Sequence, residues 1–400
     1  MDLKKNNVAI IAPAIAREGI TMQVTTQLNA LQLNHIHVFL IILGPVDEKV
    51  IEELEIQIPN ERKLLLNLST SYLSARAFFN SYSIVSPILR FIRKNNIEAV
   101  VAHAPYAHFI MRLVKLVSLL SGVKFKLLQY FHGIQYVEHP VNSVARFGMN
   151  SLNQVLALWL DDAHISVSYA VKHDIESNLI RLRRHEVIYN SVYGSSKLSS
   201  ENQVVWERIS ALLQSKPNSY RIVLPNRLHH NKGQRFFIEV LALFIQENKV
   251  LPAELAVYMV GEGPGRAEIE AAIANHILLQ PFVTLTGALP NPVLRRMIEV
   301  ADLVVVPSFF EGFSFSALEA LQAGAVLLTS DTGGLKEVVQ NKVTGFTFKN
   351  KSRKDCLKVL SFIYSNKKAV LIDRNKIMKD LKNRFSAETH VRQLLDLINS

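Results

Sequence analysis

Leu303-Val-Val-Val306 runs directly into Pro307-Ser-Phe-Phe-Glu311-Gly312-Phe313-Ser314-Phe315-Ser316-Ala-Leu-Glu319-Ala-Leu-Gln-Ala-Gly324, and the order of these pieces decides the fold class. The apolar, valine-rich run reads as a buried strand. A glycine-containing loop follows it, and then residues at helical spacing that stop at a second glycine. Strand, loop and helix in that order are the start of a βαβ unit. At the carboxyl end of a parallel strand a glycine lets backbone approach a ligand, and helix-start amides attract phosphate. Glu311 would lie in the loop and Glu319 on the first helical turns, so the two carboxylates could hold hydroxyls at opposite ends of one extended polar ligand. Ser316-x-x-Glu319 also matches a capping box, and Glu311 alone could be a solvated loop carboxylate. With Gly312 and the upstream strand, the binding reading is preferred.

Working outward, similar runs recur at 8–12, 38–43, 99–102, 126–131, 163–167 and 187–189, each followed by a segment with helical spacing. The pattern then restarts at 221–224, 255–260, 283–286, 303–306 and 326–329. Such alternation is the signature of α/β folds with parallel sheets, and its restart predicts two Rossmann-like domains in tandem. The expected division is an N-terminal domain over 1–190, a linker over 191–219, a second domain over 220–385 and a closing helix over 386–400. The linker is Gly/Ser-rich at its start, and a short helix is expected near 204–213.

Composition agrees with two folded domains: 400 residues, 49% apolar and 20% charged, with no low-complexity tract. Cys356 is the only cysteine, which excludes an internal disulfide and a thiolate-rich zinc site and suits a reducing compartment. Lys4 and Lys5 before the apolar run at 8–12 resemble a signal peptide, but Pro13 and Arg17 cut that run short and it reads as a first strand. No run of about 18 uncharged apolar residues supports a spanning helix. Of the formal charge of +11, much is local: eleven Lys or Arg lie between Arg62 and Arg146 against Glu98 and Glu138. Without a groove-reading motif or basic-aromatic interleaving, nucleic acid is not the expected partner. A basic stretch among apolar side chains suits an anionic membrane surface.

Two more loops follow strands of the second domain. Pro225-Asn226-Arg227-Leu228-His229-His230-Asn231-Lys232-Gly233 offers a planar guanidinium and a mobile ammonium, a pair that could clamp a diphosphate. Gly261-Glu-Gly263-Pro-Gly265-Arg266 superficially resembles a dinucleotide fingerprint, but arginine replaces the third glycine and no acidic residue ends the next strand. A nicotinamide cofactor is therefore not expected, and these are turn glycines near a ligand cleft. In the first domain, His132 in Tyr130-Phe131-His132-Gly133 follows a strand and could contact a sugar hydroxyl or an acceptor, although a lone histidine is more often structural. No Gly-x-Ser-x-Gly, His-Glu-x-x-His, P-loop or Asp-x-Asp motif is present.

Together, Arg227 with Lys232-Gly233, Val260-Gly-Glu-Gly-Pro, Glu311 with Glu319 and Thr332-Gly-Gly-Leu-Lys-Glu337 resemble the C-terminal domain of retaining GT-B glycosyltransferases of family 4. The first half resembles it more weakly, through Phe131-His132-Gly133, Ile165-Ser-Val-Ser-Tyr-Ala-Val-Lys and Val187-Ile-Tyr-Asn190. The resemblance implies two Rossmann-like domains facing a cleft, with Arg227 and Lys232 on the donor diphosphate and Glu319 on the ribose. It puts Glu311 and the amides near Gly312, Phe313 and Ser314 on the sugar, Gly261 and Gly19 near the donor, and His132 on the transferred sugar. It also implies same-face attack assisted by the departing phosphate, with no metal and no covalent adduct. Where the family often carries paired glycines after its first strand, this chain has Ala14-Ile-Ala-Arg-Glu-Gly19.

The function so expected is transfer of a hexose or related sugar from a nucleotide donor, a UDP-sugar first, to a saccharide or lipid-linked saccharide. The setting would be bacterial cell-surface polysaccharide or lipopolysaccharide synthesis, in the cytoplasm or at the inner face of the membrane, with residues 62–146 as the membrane-facing part. A non-catalytic binder of sugar nucleotides or glycans, and an epimerase or phosphorylase on the same fold, are the alternatives.

Overall fold

The computed structural model describes residues 7–16, 19–54, 56–68, 75–182, 184–191, 198–367 and 374–400. Lys4, Lys5, Arg17 and residues 192–197 of the expected linker lie outside them, as does the side chain of Arg76. The chain divides into two compact units, Met1–Tyr193 with Phe385–Ser400, and Gly194–Arg384.

The first unit is built on strands β1 (Asn7–Ala12), β2 (His37–Ile42), β3 (Lys63–Leu65), β4 (Ala99–His103), β5 (Lys126–Phe131), β6 (Ala163–Ser166) and β7 (His185–Val187). All pair in parallel, in the order β3-β2-β1-β4-β5-β6-β7. The second unit carries β8 (Tyr220–Pro225), β9 (Leu255–Val260), β10 (Val283–Gly287), β11 (Leu303–Val306), β12 (Leu327–Ser330) and β13 (Phe346–Phe348), also parallel, in the order β10-β9-β8-β11-β12-β13. In both sheets the order reverses beside the unit's first strand, between β1 and β4 and between β8 and β11. That reversal is the place where open α/β sheets bind ligands, outside the carboxyl ends of the strands.

The strands read as continuous apolar runs because both faces are covered. Along β9, Leu255, Val257 and Met259 enter one core while Ala256, Tyr258 and Val260 enter the other. Each fully buried Val, Leu or Met among them contributes roughly 1.5–3 kcal/mol. The short strands β3 and β13 escape a reading based on apolar runs: both are only three residues long, and β3 starts at a lysine. The helix Ser200–Gln214 buries Ile209 and Leu213 in the second unit's core, so this part of the expected linker is an integral layer of that unit. The closing helix Ala387–Asn399 belongs to the first unit. It packs on the helix Gly19–Leu33, where His390 meets Gln23 and Gln27, and it buries Val391, Leu394, Leu395 and Ile398.

Candidate active site

At the switch point of the second sheet, the loops after β8 and β11 are tied together by backbone and side chains. Phe309 N–H donates to Asn231 O at 2.7 Å, and Ser316 Oγ donates to Pro225 O at 2.5 Å. Lys232 Nζ reaches Glu311 Oε1 at 2.6 Å, and buried Ser308 donates to the same oxygen at 3.0 Å. The two sequence-predicted groups thus form a charge-assisted contact with Glu311 buried and Lys232 partly open.

Glycine is required where these loops meet. Gly233 sits at φ 72°, and a Cβ there would lie 2.0 Å from Pro307 O. Gly261 (φ 144°) backs the β8 loop from behind, since its Cβ would lie 2.2 Å from Asn226 O. Gly261 therefore holds the loop by close backbone approach, as only a residue without a side chain can. The exposed Arg227 side chain runs past Gly263, whose would-be Cβ falls 3.1 Å from Arg227 Cγ. From the far side, Gly334 N–H donates to Glu311 O at 2.9 Å and Thr332 Oγ1 to Phe309 O at 3.0 Å.

Gly312, Phe313 and Ser314 are buried and lead into the helix Phe315–Ala323. Ser314 is the N-cap, accepting from Ala317 N–H at 3.3 Å, which leaves Ser316 free to bind the end of β8. The capping-box reading of Ser316 and Glu319 is thereby overturned, because the helix begins earlier than that box requires. Glu319 instead lies buried with its Oε1 3.8 Å from Arg295 Nη2. Burial raises its carboxyl pKa, and Arg295 and Asn291 oppose that rise. Ser308 and Arg295 were not singled out in the sequence. Ser308 has the weak signal of lying inside the key loop, whereas Arg295 comes from the helix Asn291–Glu299 and has none.

The first unit has its own cluster at the ends of β4 and β5. His132 Nε2 lies 2.8 Å from His103 Nδ1, and Tyr130 stacks on both rings with centroids 4.9 Å away. His390, from the closing helix, takes amide protons from Gln23 and Gln27 on Nε2, both at 3.2 Å. Its Nδ1–H donates to Tyr189 O at 2.9 Å, which fixes its neutral tautomer. Burial lowers the pKa of His132 to about 3, with His390 adding to the effect, and that of His390 to about 4. His132 is consequently a neutral ring at physiological pH, able to share a hydroxyl hydrogen bond. Gly19 is the exposed first residue of its helix, and Ala16 N–H caps back onto Thr21 Oγ1 at 3.1 Å. Among the described residues, no group of three or more His, Cys, Asp or Glu is placed to hold a metal ion.

The basic stretch 62–146 is partly consumed internally. Arg112 is buried against Asp161 at 2.6 Å, Lys115 reaches Asp162 at 3.1 Å, and Lys126 donates to Ile398 O at 2.8 Å. Asp161 is held at about 2: burial pushes it up, and Arg112 and His164 outweigh that.

Residues 207–384 match the family model described as Glycosyl transferases group 1. The 2-deoxystreptamine glucosyltransferase of Streptomyces kanamyceticus is 35% identical over 118 residues, 30% of this chain and 29% of that protein. Glycogen synthase of Oceanobacillus iheyensis is 30% identical over 214 residues, 50% of this chain and 43% of that protein. The chain thus matches less than half the length of either curated relative. The crystal structure of Anabaena HepE in complex with UDP and glucose has a TM-score of 0.76 to this chain at 17% identity, covering 98% of this chain and 99% of that one. That likeness is one of fold, and with the two parallel sheets it bears out the expected GT-B class.

Proposed function

We propose, from the premise that the second unit is a glycosyl transferases group 1 domain in a chain of GT-B fold, that this protein is a retaining glycosyltransferase that uses a nucleotide-sugar donor. The observation that carries the proposal is the junction of the β8 and β11 loops at the switch point. There Lys232 is fixed 2.6 Å from Glu311, in the loop that also carries Arg227 and that is tied through Pro225 O to Ser316 of the helix Phe315–Ala323.

The chemistry follows from where charge develops. As the bond from the sugar to the diphosphate breaks, negative charge grows on the leaving phosphates and the sugar becomes oxocarbenium-like. Arg227, Lys232 and the helix N-terminus provide fixed positive potential for that charge, without reorganising at the moment of reaction. Lys232 can exchange its contact with Glu311 for a phosphate oxygen, which frees the Glu311 carboxylate to accept from sugar hydroxyls. Glu319, one helical stretch away, accepts from the ribose. His132 is the neutral ring assigned to the transferred sugar, and Gly19 opens the helix after β1. The acceptor hydroxyl attacks from the face the phosphate leaves and gives its proton to the departing phosphate oxygen, which retains the anomeric configuration without a metal or an enzyme adduct.

A UDP-sugar is the first donor to test; HepE, the fold relative, was crystallised with UDP and glucose. The acceptor in this reading is a saccharide or lipid-linked saccharide of bacterial cell-surface polysaccharide or lipopolysaccharide synthesis, met at the cytoplasmic face of the membrane. In this reading the contact is peripheral; among the described residues no helix is long and apolar enough to cross a membrane. The test is incubation with UDP-, GDP- and ADP-sugars and membrane glycolipid acceptors, with proton NMR of the product. A product with the donor's anomeric configuration supports the proposal. An inverted product sinks the retaining mechanism, and no transfer from any donor sinks the activity.

A further inference from the structure

The helix Val144–Leu160 is built with its apolar face outward. Val144, Phe147, Leu152, Val155, Leu158 and Trp159 are each more than 40% exposed, with Val144 at 90% and Trp159 at 81%. At 100° per residue all six fall on one arc of roughly 140°. The opposite side is anchored by polar bonds: Asn153 Oδ1 accepts from Arg112 at 3.2 Å, Asn150 Nδ2 donates to Asn178 O at 2.9 Å, and Tyr136 Oη donates to Asn150 Oδ1 at 2.7 Å. Rolling the helix to hide its apolar stripe would break all three, so the exposure is specified by the sequence. The helix Pro105–Ser121, which packs against it, also exposes two leucines near its end, Leu119 and Leu120, the latter 89% exposed.

Charge decides what covers this face. The helix carries no acidic residue; its one charged group, Arg146, turns away from the stripe to donate to Pro140 O and Asn142 Oδ1, both at 3.1 Å. The acids that follow the helix, Asp161 and Asp162, are paired with Arg112 and Lys115. Exposed Arg93 donates to Ser121 O at 3.1 Å, which fixes it beside Leu119 and Leu120, and Lys94 and Lys124 are exposed nearby in sequence. A second copy seated here would set two like-charged rims against each other. An anionic bilayer instead takes the apolar side chains at its headgroup boundary, suits tryptophan there, and attracts the basic rim.

We infer that this outward face, centred on Val155 and Trp159, is a docking surface for an anionic lipid membrane. The inference deepens the peripheral part of the function proposed above and rests on it. It also moves the membrane contact from the basic stretch as a whole to an apolar helix at its C-terminal end, with Arg93, Lys94 and Lys124 as the basic groups beside it.

The chain has two tryptophans, so Trp206→Phe leaves Trp159 as the sole indole reporter. Vesicles containing about 30 mol% phosphatidylglycerol, with acyl chains brominated near the headgroup, should quench its fluorescence about twofold at low salt. Phosphatidylcholine vesicles should quench it far less, and Val155→Glu should weaken binding by about tenfold or more. Absence of quenching, or quenching unaffected by Val155→Glu, overturns the inference. So does a wild-type dimer that Val155→Glu converts to monomer, which would assign the face to a second copy. The UDP-induced rise in melting temperature is measured on the same samples. Lost quenching with that rise intact refutes this surface alone, and the converse refutes the donor reading alone.

Discussion

Gly233→Ala tests the junction on which the donor site depends. An alanine at φ 72° costs about 1–2 kcal/mol for the left-handed backbone alone. Its Cβ would also stand 2.0 Å from Pro307 O, where ordinary contact begins near 3.4 Å, so the loops after β8 and β11 must separate by roughly 1.4 Å. That displacement falls between Lys232 and Glu311, whose contact is now 2.6 Å. Misplacing a reacting constellation by about 1 Å can cost on the order of 10²-fold in rate. The variant should therefore melt at least about 2 °C lower, from about 2–4 °C per kcal/mol for a unit of this size. It should also lose transfer activity by about two orders of magnitude. Scanning fluorimetry with and without UDP, together with the transfer assay, reads both effects. A variant with wild-type melting and an unchanged response to UDP would refute the argument that this glycine sets the site.

Lys232→Met should keep the fold but cost roughly 10²-fold in transfer and shrink the stabilisation by UDP; undiminished stabilisation would remove Lys232 from the diphosphate. Arg112→Met leaves Asp161 buried without its guanidinium and should cost about 3–5 kcal/mol in urea unfolding, against almost nothing if the pair were surface-like. The pKa of His390 is about 4 in the fold, and the unfolded chain takes up that proton near 6.5, so this ring's contribution is complete above 6.5 and lost as pH falls toward 4. The loss amounts to about 3 kcal/mol, and a urea midpoint that holds steady from pH 7 to 4.5 would contradict it.

The elements legible in the sequence were those whose physics is local. Strands buried on both faces, such as Leu255–Val260, announce themselves as unbroken apolar runs. The Glu311 and Lys232 loops were visible because each follows such a strand, and the parallel order then places them side by side. What escaped depends on distant partners. His390 meets Gln23 across 367 positions of sequence, and no local pattern announces that meeting. His103 lies just past the run read as a strand, 99–102, and carried no signal of its own, yet it holds His132 at 2.8 Å. The stripe on Val144–Leu160 carries the spacing of a core helix, and only the structure shows that it faces outward. The N-cap was misplaced because both Ser314 and Ser316 are suitable capping residues; Ser316 is spent on Pro225 O.

The most direct test of the donor site is a thermal-shift panel of UDP-, GDP-, ADP- and CMP-sugars on the wild type and on Arg227→Ala, because a ligand that binds only the folded state raises its stability by mass action. Stabilisation by one nucleotide class that disappears in Arg227→Ala is the expected result. No shift with any nucleotide, or a shift that Arg227→Ala leaves intact, would contradict a donor site built on the β8 and β11 loops.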